Sequence, residues 1–198
     1  EDALIKSALG GDLSAFNSLV LFYQNMAYNV AYRILGETGA ADDATQEAFI
    51  SAYNKLHQYR GGSFKAWLLK IVTNNCYDEL RRRKRQPVTP LQLDLPDGET
   101  VENPTWIADE GASPEDQVVQ LELQAAIQTC INQLDKKFSV VLIMVDVEQL
   151  DYQTTADITG IPVGTVKSRL ARARLRIQDC LQGFWELLPE NFRHKVEV

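Results

Sequence analysis

Over residues 165–172 the chain sets hydrogen-bond donors at helical intervals: Thr165, Lys167, Ser168, Arg169 and Arg172. Hydroxyl, ammonium and guanidinium groups are the side chains that pair with base edges in a DNA major groove and with the phosphates beside it. Residues 161–178 hold five bases (Lys167, Arg169, Arg172, Arg174, Arg176) and no acid, in a chain of net charge −7. A lone basic amphipathic helix is often just solvated. Here the upstream residues argue otherwise. Asp151 suits a helix N-cap, and Gly160 can take the positive φ that ends a helix of about two turns. Pro162 then suits the first turn of the next helix, where a missing N–H costs nothing. From that start Val166, Leu170, Ala173 and Ile177 form a buried stripe. Two short helices around a tight turn, the second one basic, are the pattern of a helix-turn-helix DNA reader.

Two other sets of residues call for a partner. In a helix expected over residues 41–56, Ala44, Ala48, Phe49, Ala52 and Leu56 point inward. Asp43, Gln46, Glu47 and Ile50 share another face, because three- and four-residue steps are helical neighbours. In a helix expected over residues 63–84, with Ser63 as N-cap after the Gly61-Gly62 turn, Asn74 and Asn75 carry amides suited to base edges. Residues 81–85 are all basic and suit phosphate tracking, with Arg81 and Arg82 nearest the amides. Phe64 and Trp67 are aromatic candidates for stacking on an unpaired base, although their spacing with Leu68, Ile71 and Leu80 fits core packing better.

The elements that position these groups read as all-α. A helix over residues 13–35 shows apolar spacing through Phe16, Leu19, Tyr23, Ala27, Val30 and Ile34 and closes at Gly36. Residues 86–120 contain eight acids, five of the seven prolines and no Lys or Arg, so they read as an extended acidic connector. Outside that stretch, 19 acids face 20 bases. The chain therefore divides into a helical domain over residues 1–85, the connector over 86–120, and a helix-turn-helix domain with an apolar tail over 121–198.

Composition excludes other classes. The 198 residues, 45% of them hydrophobic, suffice for real cores. No glycine-rich phosphate loop, metal-ligand cluster or nucleophile–base pattern is visible, so neither a cofactor nor an enzyme activity is expected. Cys76, Cys130 and Cys180 are far apart in sequence and form no CxxC pair. This spacing predicts neither a zinc site nor a disulfide framework, and it suits a reducing cytoplasm. The longest strongly apolar run, residues 140–145, is too short to span a bilayer, and no signal-peptide layout opens the sequence.

With these motifs in order, the chain resembles the extracytoplasmic-function group of bacterial sigma factors, small two-domain members of the sigma-70 family. Residues 43–49 (DATQEAF) look like that family's polymerase-clamp-binding helix. Residues 63–68 (SFKAWL), with Ile71 and Asn74, look like its promoter-melting and minus-10 segment, and residues 161–170 (IPVGTVKSRL) are similar to its minus-35 reading helix. The resemblance implies a protein without bond chemistry that lends core RNA polymerase its promoter specificity and helps open the duplex. Asp43, Gln46, Glu47 and Ile50 would then dock on the polymerase. Phe64, Trp67, Asn74, Asn75, Arg81 and Arg82, with the loop over residues 57–63, would meet the minus-10 element. Thr165, Lys167, Ser168, Arg169 and Arg172 would meet the minus-35 element. The expected partners are core polymerase, promoter DNA and an anti-sigma factor. The rival reading is a helix-turn-helix regulator that is not a sigma subunit, which would need neither the Asp43/Gln46/Glu47 face nor the connector.

Overall fold

The structure, a computed structural model, describes residues 1–85 and 114–189. These residues form α1 (Asp2–Leu9), α2 (Leu13–Leu35), α3 (Thr38–Lys55), α4 (Phe64–Arg85), α5 (Pro114–Gln133), α6 (Lys136–Leu142), α7 (Tyr152–Thr159) and α8 (Val163–Leu181), with no strand among them. A π-helical turn, Ile143–Val147, extends α6, and a 3₁₀ turn, Gln182–Leu187, follows α8.

Local chemistry sets the boundaries. Asp12 caps α2 by accepting from the backbone N–H of Ser14 at 2.9 Å and of Ala15 at 3.2 Å. Gly36 ends that helix with φ 82°, a left-handed geometry that glycine adopts without strain. Ser63 caps α4, its Oγ accepting from Ala66 N–H at 3.1 Å. In the N-terminal half, α2 buries Phe16, Leu19, Tyr23, Ala27, Val30 and Ile34. Facing it, α3 buries Ala41, Ala44, Ala48 and Ala52, small side chains that let helices approach closely. Against both lies α4, with Leu68, Leu69, Ile71, Val72 and Cys76 buried.

In the C-terminal half the turn motif forms as its residues predict. Asp151 accepts from Thr154 N–H at 2.9 Å, Gly160 ends α7 at φ 68°, and α8 starts directly after Pro162. Val166, Leu170 and Ala173 are buried, and Ile177 packs half-buried against the same core.

The two halves share one continuous core, with α4 packed on α7 and α2 touching α5 and α6. The seam carries polar ties. Lys136 Nζ donates to the Ile34 carbonyl at 2.7 Å. Lys65 Nζ donates to the Glu148 carbonyl at 3.0 Å and pairs with its carboxylate at 2.9 Å.

Two expectations are corrected. First, the connector ends early: α5 begins at Pro114, where the fixed φ of proline suits a first helical turn, so residues 114–120 belong to a helix. The rest of the expected connector, residues 86–113, and the end of the tail, residues 190–198, lie outside the described residues. Second, Cys130 and Cys180 form a disulfide with their Cα atoms 5.7 Å apart. Their sequence separation of 50 carries no distance information once α5 packs on α8 and brings the two helix ends together. Cys76 remains a free, buried thiol.

Candidate nucleic-acid and protein interfaces

The donors of α8 are displayed unequally. Lys167, Ser168 and Arg172 are exposed, while Thr165 and Arg169 are half-buried. Ser168 Oγ donates to the Thr165 carbonyl at 3.1 Å, and Lys167 Nζ lies 5.6 Å from the centroid of the Tyr152 ring. The Arg169 charge is felt in the other half. Burial pushes the Tyr77 hydroxyl on α4 above its ordinary pKa, and the Arg169 charge works against that rise. The remaining two bases act as braces. Arg174 makes a two-pronged pair with Asp146, Nη2 to Oδ1 at 2.6 Å and Nε to Oδ2 at 3.0 Å. Arg176 lies over the Phe138 ring at 4.8 Å and 3.6 Å from Asp135. Both are among the five bases that residues 161–178 hold without an acid. Nothing near them in sequence signals the bracing, because Asp146 lies 28 residues before Arg174.

On α4, Asn74 is exposed and Asn75 half-buried. Phe64 is only 2% exposed. That corrects its assignment to the minus-10 face, because a ring enclosed by the core offers no free surface to a base. It packs instead in an aromatic cluster with Tyr23, Tyr59 and Trp67, centroids 5.5, 5.7 and 5.3 Å away. Trp67 keeps partial exposure at the edge of this cluster. The neglected residue is Tyr59. Its ring packs against both Phe64 and Trp67, and its hydroxyl donates to the Gly62 carbonyl at 2.6 Å, which fixes the loop ahead of α4. The signal for it was a lone aromatic just before a double glycine.

The basic end of α4 is partly engaged with its own acids. Arg81 pairs with Asp78 at 2.9 Å, Arg82 with Glu79 at 2.7 Å, and Arg83 with both Glu79 and Glu37 at 2.8 Å. Hydrogen bonds from Arg82 and Arg83 hold the Glu79 carboxyl below the usual glutamate range. The Arg81 pair is open to water on both sides, so a phosphate competes with it at little cost.

Asp43, Gln46, Glu47 and Ile50 are all exposed on α3, Ile50 at 63%. The four residues therefore present two carboxylates, an amide and one apolar side chain together to solvent. Asp43 and Glu47 also line a hollow of about 310 Å³ with Asn75, Asp78, Glu79 and Arg82. The structure thus brings Asn75 and Arg82, expected on the minus-10 face, beside the carboxylates expected on the polymerase face. Among the described residues, no group of three or more His, Cys, Asp or Glu side chains is arranged to hold a metal ion. No described helix is long and apolar enough to cross a membrane.

A helical half with an acidic and apolar face, followed by a helix-turn-helix half, defines a two-region protein of the sigma-70 class. The comparisons agree: residues 19–86 match the Sigma-70 region 2 family profile and residues 124–177 the profile of Sigma-70 region 4. The chain is 36% identical over 171 residues to the ECF RNA polymerase sigma factor SigW of Bacillus subtilis, covering 86% of this chain and 90% of that one. It is 34% identical over 183 residues to the RNA polymerase sigma-H factor of Pseudomonas aeruginosa, covering 92% and 94%. Its fold is that of the sigma factor RpoE from Bartonella quintana, solved in complex with the anti-sigma factor NepR, at a TM-score of 0.65, 24% identity and coverage of 86% and 98%. The chain therefore belongs to the extracytoplasmic-function (ECF) RNA polymerase sigma factors, and it is an alternative sigma factor acting in transcription initiation. The match to region 2 sets aside the reading of a regulator that is not a sigma subunit, since such a regulator has no use for that half.

Proposed function

We propose that α3 docks this chain on core RNA polymerase through Asp43, Gln46, Glu47 and Ile50, while α4 and α8 meet the minus-10 and minus-35 elements of its promoters. The observation that carries the reading is the joint exposure of those four α3 residues on one face, with Ile50 at 63%. On α4 the minus-10 contacts are Asn74, Asn75, Arg81, Arg82 and the exposed edge of Trp67, and the loop pinned by Tyr59 shapes the place where an extruded base would rest. On α8 the minus-35 contacts are Thr165, Lys167, Ser168, Arg169 and Arg172, with lysine or arginine to guanine giving about 1–3 kcal/mol of discrimination per good contact.

The acidic residues between the two halves carry the same sign of charge as RNA. They suit a segment that follows the transcript's path in the polymerase early and yields to the growing chain. The protein acts in the cytoplasm, where the polymerase is. An anti-sigma factor is its regulatory partner, a role supported by RpoE of Bartonella quintana having been solved with one. The docking assignment is tested by the Asp43→Ala/Glu47→Ala double variant. It should bind core polymerase at least tenfold more weakly while keeping its melting temperature, and unchanged affinity would remove this face from the contact.

A further inference from the structure

The bond between Cys130 and Cys180 has no part in the roles above, yet it lies in the minus-35 reading half. Cys130, near the end of α5, is 1% exposed, whereas Cys180, one residue from the end of α8, is half-buried. The pair opens on a surface hollow of about 450 Å³ lined also by Gln133, Leu134, Arg176 and Asp179. A small thiol or disulfide can therefore reach the Cys180 sulfur from water. Gln133 Oε1 stands 3.6 Å from that sulfur, placed to accept from the thiol when the bond is reduced. Cys76 does not compete, because burial pushes its thiol up to about 12.

The position gives the bond a mechanical role. The fully buried stripe of α8 ends at Ala173, and beyond it Leu175, Gln178 and Asp179 are exposed while Ile177 and Leu181 are only half-buried. The last two turns of α8 thus have a thin apolar hold, and the covalent tie to α5 adds to the braces made by Arg174 and Arg176. Arg172, proposed to read DNA, is eight residues before Cys180, about 12 Å along the helix. In a reducing compartment such a tie is a redox device rather than a permanent staple.

We infer that Cys130 and Cys180 form a reversible thiol–disulfide site, exchanging with a low-molecular-weight thiol–disulfide couple of the glutathione type, which locks the end of the reading helix to α5 when oxidised. On oxidation the Cys180 thiolate attacks the small disulfide, forming a mixed disulfide and expelling one small thiolate. The Cys130 thiolate then attacks the Cys180 sulfur, forming the internal bond and expelling the second. Two protein thiols are oxidised, one small disulfide is reduced to two thiols, and the two protons given up by the protein thiols end on the two thiolates expelled. The consequence for DNA reading rests on the proposed role of α8, whereas the exchange itself rests on the cysteine pair alone.

The test equilibrates the full chain, without denaturant, in buffers of graded ratio of reduced to oxidised glutathione. Samples are quenched in acid and denatured, free thiols are capped with N-ethylmaleimide, and adducts are counted by intact mass. One adduct, on Cys76, is expected at the oxidising end, three at the reducing end, and a single transition in which both others appear together. The oxidised protein should melt higher than the reduced protein by on the order of 10 °C, and Cys180→Ser should melt like reduced wild type in both buffers. Should that variant fail to fold, oxidised against reduced wild type carries the comparison. Three adducts at every ratio would show that the bond does not form, and one adduct at every ratio would show a fixed staple; either overturns the inference. So would a normal redox transition with no change in melting. None of these readouts uses promoter DNA, so failure here is distinct from failure of the sigma assignment.

Discussion

Two arginines two residues apart on α8 have opposite surroundings. Arg172 is exposed and lacks the two-pronged carboxylate partner that occupies Arg174. Substituting Arg172 with Ala should cut minus-35-dependent initiation by roughly tenfold or more, in line with about 1–3 kcal/mol per base contact, and leave core binding unchanged. Arg174→Ala should instead lower stability by up to about 1 kcal/mol, as expected for a largely exposed ion pair, with a smaller effect on promoter choice. Run-off transcription from promoters with intact and scrambled minus-35 elements, together with melts, separates the two roles. Equal loss of minus-35 dependence in both variants would contradict the assignment. Phe64 teaches a related lesson: its residue type suited stacking, but only the fold could tell that its ring is enclosed.

Helix ends were the most legible elements, because their signals are local. Asp151, Gly160, Ser63 and Gly36 each occupy the cap position that their chemistry prefers. What the sequence hid depends on distant contacts. The Cys130–Cys180 bond joins residues 50 apart, and the start of α5 lay within a proline-rich acidic stretch that composition read as extended. The short α1 leans on α2 and carries little pattern of its own, only Ile5 and Ala8 being buried. Caps also make quantitative tests. Asp12→Ala removes the acceptor for two N–H groups of α2 and should cost about 1 kcal/mol of stability, readable by denaturant titration. At the end of α4, Glu79 is held below the ordinary glutamate range by its hydrogen bonds from Arg82 and Arg83. Its folded pKa being depressed, the stability it contributes is fully present above the unfolded glutamate pKa and is lost as pH falls through the lowered folded value. Wild type should therefore melt above Glu79→Gln at neutral pH, and the gap should close in acid. A gap independent of pH would show that the carboxylate charge is not its source.

At the scale of the molecule, sequence fixed the order of the parts but not how they meet. Two separate helical units were expected, and among the described residues they share a seam where α4 packs on α7. Beside the apolar contacts of the shared core, its polar ties are the Lys65–Glu148 pair and the Lys136 bond to the Ile34 carbonyl. Across that seam the Arg169 charge acts on the Tyr77 hydroxyl of α4. Both halves, and the relatives matched over nearly their whole length, lead to one central claim: that this chain confers promoter specificity on RNA polymerase. Run-off transcription tests it most directly, using purified bacterial core polymerase with and without the protein on a library of stress promoters. Discrete transcripts that require the protein, and that share minus-35 and minus-10 elements, are the predicted result. If the folded protein binds core polymerase yet yields no specific transcript on any promoter, including those served by its ECF relatives, the claim is contradicted.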